Sequence, residues 1–155
     1  MSFYPSQLEP LFVKLLSCGV KPVIVGGFVR DRLFGLDEVK DIDIELYGVK
    51  DFASLEMMVC EFGKVNSFGK SFGVCHLVLD AFEIDFSLPR LENKNGFGHK
   101  DFLVTIAPDI DFKTASARRD FTINSIGYDV NSSTFLDPYG GMSDLEAKVL
   151  REVDA

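Results

Sequence analysis

The alternation Asp41-Ile42-Asp43-Ile44-Glu45-Leu46-Tyr47 constrains this chain more than any other stretch. Residues two apart on a strand share a face, so a strand here buries Ile42 and Ile44 and projects Asp41 and Asp43 together on the opposite side. At roughly 3.3 Å per residue the two carboxylates stand about 6–7 Å apart along the strand, close enough to share Mg²⁺ ions. Paired metals about 3.5–4 Å apart would stabilise both the attacking and the leaving oxygen of a phosphoryl transfer. By itself an Asp-x-Asp pair is more often a solvated strand face, so the chemical reading depends on what accompanies it.

Its nearest companion lies just upstream. Pro22-Val23-Ile24-Val25 reads as a buried strand, and Gly26-Gly27 as a tight turn into a short helix ending near Gly35. Glycine lets the backbone come close to a phosphate, and a helix N-terminus offers free N–H groups. Arg30, one turn in, could reach the same anion with a forked contact. Gly-Gly alone is equally a plain strand-to-helix turn, and the absence of Gly-x-Gly-x-x-Gly argues against a dinucleotide fold. Gly69-Lys70-Ser71 suggests a P-loop, but five residues, not four, separate Gly63 from Gly69. It is read as a loop between two strands.

Elsewhere, Ser6-x-x-Glu9 could box the start of a helix closed by Gly19, with Pro10 pushing that start slightly later. Residues 52–62 read as a helix, and 74–79 with 82–88 as a strand pair around Asp80-Ala81. On the second of these strands Phe82, Ile84 and Phe86 face one way, Glu83 and Asp85 the other. Asp85 is either part of a polar outer face or a third carboxylate that ligates metal or accepts a proton. Residues 90–109 show little periodicity and read as a long loop. Residues 115–126 read as a helix carrying Arg118 and Arg119, the only concentrated basic element; about 100° apart, at most one would face a given ligand. Asp120 and Asn124 share a face of that helix. Asp137-Pro138-Tyr139-Gly140-Gly141 is a turn, and Ser143-x-x-Glu146 caps a last helix running to the end. His76 and His99 are isolated. A structural role suits His76, and nothing supports a zinc site.

A chain of 155 residues can bury one real core. At 46% hydrophobic and 26% charged it has an ordinary globular balance. No apolar run approaches the roughly 20 residues of a membrane span, and the N-terminus lacks the features of a secretory signal. Cys18, Cys60 and Cys75, odd in number and without Cys-x-x-Cys spacing, read as buried, reduced thiols of a cytoplasmic protein. Sixteen basic against 24 acidic residues give a net charge of −8, a poor general binder of nucleic acid. An RNA substrate would need a local patch or protein outside this chain.

Four ordered signatures resemble the bacterial tRNA nucleotidyltransferase/poly(A) polymerase family, the class II branch of the DNA polymerase beta-like nucleotidyltransferases. They are Gly26-Gly27-x-Val29-Arg30-Asp31-x-Leu33-x-Gly35, Lys40-Asp41-Ile42-Asp43, Arg118-Arg119-Asp120-Phe121-Thr122-Ile123-Asn124, and Asp137-Pro138-x-x-Gly141 with Asp144-Leu145. The resemblance spans roughly residues 23 to 151. It implies a mixed α/β (α+β) head domain: a small mixed sheet, helices mainly on one side, the carboxylates at its edge. It further implies that Asp41 and Asp43 bind catalytic Mg²⁺, and that Gly27 and Arg30 contact the triphosphate of incoming ATP or CTP. Arg119 becomes a further nucleotide contact and Asp85, ahead of Arg90, a third carboxylate. The segment around Gly96-Phe97-Gly98 matches the family's flexible loop. The implied reaction adds CMP or AMP to a tRNA 3′ end, or poly(A) to RNA, releasing pyrophosphate. The family's neck, body and tail have no counterpart here, so residues 1–155 are expected to be the catalytic head of a longer protein. The rival readings are a nucleotidyltransferase acting on a small-molecule or protein hydroxyl, and a non-catalytic nucleotide-binding domain.

Overall fold

The computed structural model describes residues 3–36, 40–66, 74–94, 102–106 and 110–153. Among the described residues, seven strands form one mixed sheet: β1 (Lys21–Val25), β2 (Asp41–Tyr47), β3 (Lys64–Asn66), β4 (Val74–Leu79), β5 (Phe82–Ser87), β8 (Gly127–Asp129) and β9 (Thr134–Leu136). Their order is β3-β4-β5-β2-β1-β8-β9, and only the β2–β5 pairing is parallel. The carboxylate-bearing strand β2 is therefore the central one, not an edge. Its neighbours on both sides fix which residues flank Asp41 and Asp43.

The alternation sorts the two faces as expected. Ile42, Ile44, Leu46, Leu77, Ile84 and Phe86 are buried on one side with Ile24 of β1. That side is covered by α1 (Glu9–Ser17), α2 (Gly27–Leu33) and α3 (Phe52–Val59), which bring Leu11, Phe12, Leu15, Phe28, Val29, Leu55 and Val59 into the same core. Among the described residues, the other face is covered at one end only. There α4 (Phe112–Ser116) sets Ala115 and Phe112 against Val23, Val25 and Tyr47. The remainder of that face carries the carboxylates.

Several expectations need correction. Residues 90–109, read as a loop, include two antiparallel strands, β6 (Arg90–Lys94) and β7 (Phe102–Ile106). Gly96-Phe97-Gly98 and His99 between them, and Gly69-Lys70-Ser71, lie outside the described residues. The helix expected over 115–126 is the end of α4, a turn through Arg118 and Arg119, and a single 3-10 turn at Thr122–Asn124. The last helix, α5 (Gly141–Ala147), stops at Lys148 in the left-handed region (φ +56°). Beyond it the chain is extended and pairs back on Asp120–Thr122: Thr122 donates its N–H to Arg151 O, and Val153 to Asp120 O. The Ser6 capping box does not form; a 3-10 turn (Ser6–Leu8) precedes α1, and Tyr4 donates to Glu9 instead. Cys75 is buried, whereas Cys18 and Cys60 are exposed; all three are free thiols.

Candidate active site

Antiparallel pairing of β1 with β2 places Val25 opposite Asp43, so the turn that follows β1 emerges beside that carboxylate. Gly26 occupies the turn at φ +73°, a conformation L side chains rarely adopt. A Cβ at Gly26 would lie 3.1 Å from Asp43 Oδ2 and 4.0 Å from Arg119 Nη1. One backbone position thus touches two separate signatures. Gly27 is less constrained; the nearest atom to a Cβ there is Arg30 Nη2 at 3.3 Å.

The parallel register between β2 and β5 opposes Asp41 to Glu83 and Asp43 to Asp85. All four acidic side chains project from the same face. The Asp43 carboxyl is held above its ordinary pKa, first by partial withdrawal from water in the cleft, next by the charge of Asp85 and then by Asp41, while Arg119 opposes the shift. Carboxylates that repel one another in this way provide a place for a cation.

Cations reach the cleft from the turn after α4. Arg118 and Arg119 line it together with Val25, Asp43, Val74, Asp85 and Ser87, around a volume of about 210 Å³. Both arginines therefore serve one cleft, contrary to the helical expectation, because they lie on a turn. Arg118 is anchored from below: its Nη2 lies 3.6 Å from Oε2 of Glu45, a carboxylate only 1% exposed. Tyr47 donates its hydroxyl to the other Glu45 oxygen. Burial, then the Glu45 charge, pushes the Tyr47 phenol far above its ordinary range, so it remains a donor.

Arg30 is tied to the same turn. Its Nε donates to Asp31 Oδ1 (3.1 Å) and its Nη1 to Asn124 Oδ1 (2.9 Å). The third nitrogen lies over Gly27. Asn124 in turn donates to Asp120 Oδ1 (3.2 Å), which also accepts the Phe121 N–H. The fourth signature supports this arrangement from behind. Asp137 accepts the N–H groups of Gly141 and Met142 at the start of α5, the role expected of Ser143. Asp144 accepts from Thr122 Oγ1 (2.6 Å) and from Arg151 Nε. Gly141 packs so tightly that a Cβ would lie 2.1 Å from Thr122 O.

The glycine turn, the carboxylate strand and the basic turn thus converge on one cleft, and the sequence model of the Poly A polymerase head domain matches residues 23–151. The chain belongs to the Poly A polymerase head domain family. Among its relatives, the "Multifunctional CCA protein" of Xylella fastidiosa (strain 9a5c) is 37% identical over 134 residues, 86% of this chain and 30% of the relative. A solved "CCA-adding enzyme with CTP" is 29% identical with a TM-score of 0.74, over 97% of this chain and 34% of that one. The same enzyme type with ATP gives 27% identity and a TM-score of 0.73, over 95% and 32%. The chain thus spans about 30% of the length of the curated relative it matches.

Within this head domain the donor set suits a hard divalent cation. Among the described residues no three His, Cys, Asp or Glu side chains form a ready-made metal cage. Two carboxylates that leave positions for phosphate oxygens and water are a donor set that a hard divalent cation accepts. The reading from residues alone left Glu45 unremarked and gave His76 a structural role without a partner. His76 Nδ1 lies 2.6 Å from Asp85 Oδ1 and its Nε2 3.6 Å from Glu83 Oε1. A signal for this existed: a strand pair turning at Asp80-Ala81 sets Leu79 against Phe82 and hence His76 against Asp85.

Proposed function

We propose that the chain is the catalytic head of an RNA nucleotidyltransferase. It joins CMP and AMP, taken from CTP and ATP, to the 3′ end of tRNA without a template. The observation that carries this reading is the cleft itself, where Asp43 and Asp85 stand in register beneath Gly26, Arg118 and Arg119. The relatives' names, CCA protein and CCA-adding enzyme, favour addition of C and A over a poly(A) tail. The remainder of the tRNA-holding surface and the choice of base belong, on this reading, to protein beyond residue 155. A cytoplasmic location is part of the same proposal. No helix among the described residues is long and apolar enough to cross a membrane.

In the reaction, an RNA 3′-hydroxyl oxygen attacks the α-phosphorus, a new P–O bond forms, and the bond to the bridging oxygen breaks as pyrophosphate leaves. Asp41 and Asp43 would hold Mg²⁺, which neutralises phosphate charge and lowers the barrier to attack on phosphorus when bound. Gly26 and Gly27 keep the backbone low enough for the triphosphate to lie along it. The free nitrogen of Arg30 and the Arg119 guanidinium take up its charge. Asp85 is the third carboxylate, placed to accept the proton of the attacking hydroxyl. Most of the rate enhancement is positioning and charge stabilisation.

Titration of the full-length protein with CTP and with ATP, with and without Mg²⁺, tests the assignment. Binding should weaken at least tenfold in Arg119→Ala. It should lose its Mg²⁺ dependence in Asp43→Ala. Unchanged Mg²⁺-dependent binding in Asp41→Ala and Asp43→Ala would overturn the assignment.

A further inference from the structure

We infer that His76 is a positioning residue for Asp85: it fixes one carboxylate oxygen and so aims the other into the nucleotidyl-transfer cleft. The inference rests on the nucleotidyltransferase reading and extends it to a residue outside all four signatures.

The argument starts from β4 and β5. Their turn at Asp80-Ala81 sets the register, with Asp80 in the left-handed region (φ +51°) that Asp tolerates. His76 then stands directly opposite Asp85 and one strand further from β2. On this face the row across the strands runs Asp43, Asp85, His76. The contact between His76 Nδ1 and Asp85 Oδ1 is short, 2.6 Å, and the imidazole is three-quarters shielded from solvent. Glu83, on the same strand as Asp85, approaches the far nitrogen at 3.6 Å and steadies the ring from its other edge.

A carboxylate on a short side chain rotates freely unless one oxygen is held. Asp85 lines the cleft, and its Oδ1 is engaged by His76. Among the described residues its Oδ2 makes no hydrogen bond, so it is the oxygen left for chemistry. Holding such a group to within a fraction of an ångström matters, because small misplacements of reacting atoms cost up to about 10²-fold in rate. His76 need touch neither nucleotide nor RNA to exert this effect.

The test compares His76→Leu, His76→Asn and Asp85→Asn in the full-length protein, assayed for nucleotide addition to RNA. Asn can place a donor nitrogen near that of His Nδ1; Leu cannot. We expect His76→Leu to lower kcat about 10- to 100-fold with the nucleotide KM within about twofold. His76→Asn should recover most of the rate. His76→Leu should add little in an Asp85→Asn background, because the two residues act as one unit. An independent readout is the His76 imidazole by ¹H–¹⁵N NMR. A proton on Nδ1 in the wild type, redistributed toward Nε2 in Asp85→Ala, supports the contact without any assay. Full kcat in His76→Leu alongside a damaged Asp85→Asn overturns the inference and leaves the catalytic reading standing. So does an equal loss in His76→Asn and His76→Leu, or a loss that tracks only a lowered Tm. A wild type that adds no nucleotide while His76 still carries its Nδ1 proton removes the catalytic reading, and with it this role for His76.

Discussion

A methyl group at position 26 would stand 3.1 Å from Asp43 Oδ2, on a backbone at φ +73°, ψ −147° that costs a non-glycine residue about 1–3 kcal/mol. Gly26→Ala should therefore displace the Asp43 carboxylate. We expect nucleotide addition to fall at least tenfold, while the melting temperature drops by only several degrees. Gly27→Ala meets only the movable end of Arg30 and should lose less activity, measured side by side. The pair Asp41 and Asp43 was legible in the sequence because a period of two is a local property of one strand. Glu45 was not singled out, Gly26 was read as a turn and His76 as structural, since what each of them faces is set across a register. Glu45 belonged to the same alternation as the two aspartates. Whether it met solvent or was buried under Arg118 depended on α4 closing that end of the sheet.

The third and fourth signatures act as one clasp at the scale of elements. Asp144 binds Thr122 on the 3-10 turn, and the extended segment after α5 pairs with Asp120–Thr122. These contacts hold the turn that presents Arg118, Arg119 and Asn124. The Thr122 hydroxyl first, and Arg151 with it, keep the Asp144 pKa below the ordinary Asp value of about 3.9. The stability this contributes is fully present above that ordinary value and is lost as pH falls through the lowered folded one. Thr122→Val should therefore flatten the acid limb of a melting-temperature profile as well as lowering the plateau. Asp137→Ala, which frees the first N–H groups of α5, should cost about 0.5–2 kcal/mol in a denaturant titration. Residues 115–126 read as helical because Ala115, Ala117 and the arginines are adequate helix formers. Tertiary contacts to Glu45 and to Asp144 outweigh that weak preference. The pairing of β6 with β7 was hidden for another reason. Each strand is short, and the glycine-bearing segment between them carries no local sign of which residues pair.

For the molecule as a whole, and among the described residues, one sheet face is filled by the helices and the other is open around the carboxylates, so the core and the proposed chemistry fall on opposite sides of β2 and β5. Phe86, fully buried on the helix-covered side of β5, has Asp85 and Ser87 beside it on the cleft side. Phe86→Ala should lower unfolding free energy by about 3–5 kcal/mol, whereas Asp43→Ala should leave stability nearly intact and abolish transfer. Single strands and helices were legible from alternation and spacing, whereas their assembly into a mixed α/β sheet with helices mainly on one side was what the family resemblance implied. The central placement of β2 was not legible, because strand order is set by pairings distant in sequence. The net charge of −8 makes the chain itself a poor general binder of nucleic acid, and it spans about 30% of the length of the matched relative. The most direct measurement offers tRNA lacking its 3′ end to the full-length protein with CTP and ATP, separately and together. The account predicts Mg²⁺-dependent extension with release of pyrophosphate, stopped by a chelator and by Asp41→Ala with Asp43→Ala. No extension by the wild type, or undiminished extension by that double variant, would contradict it.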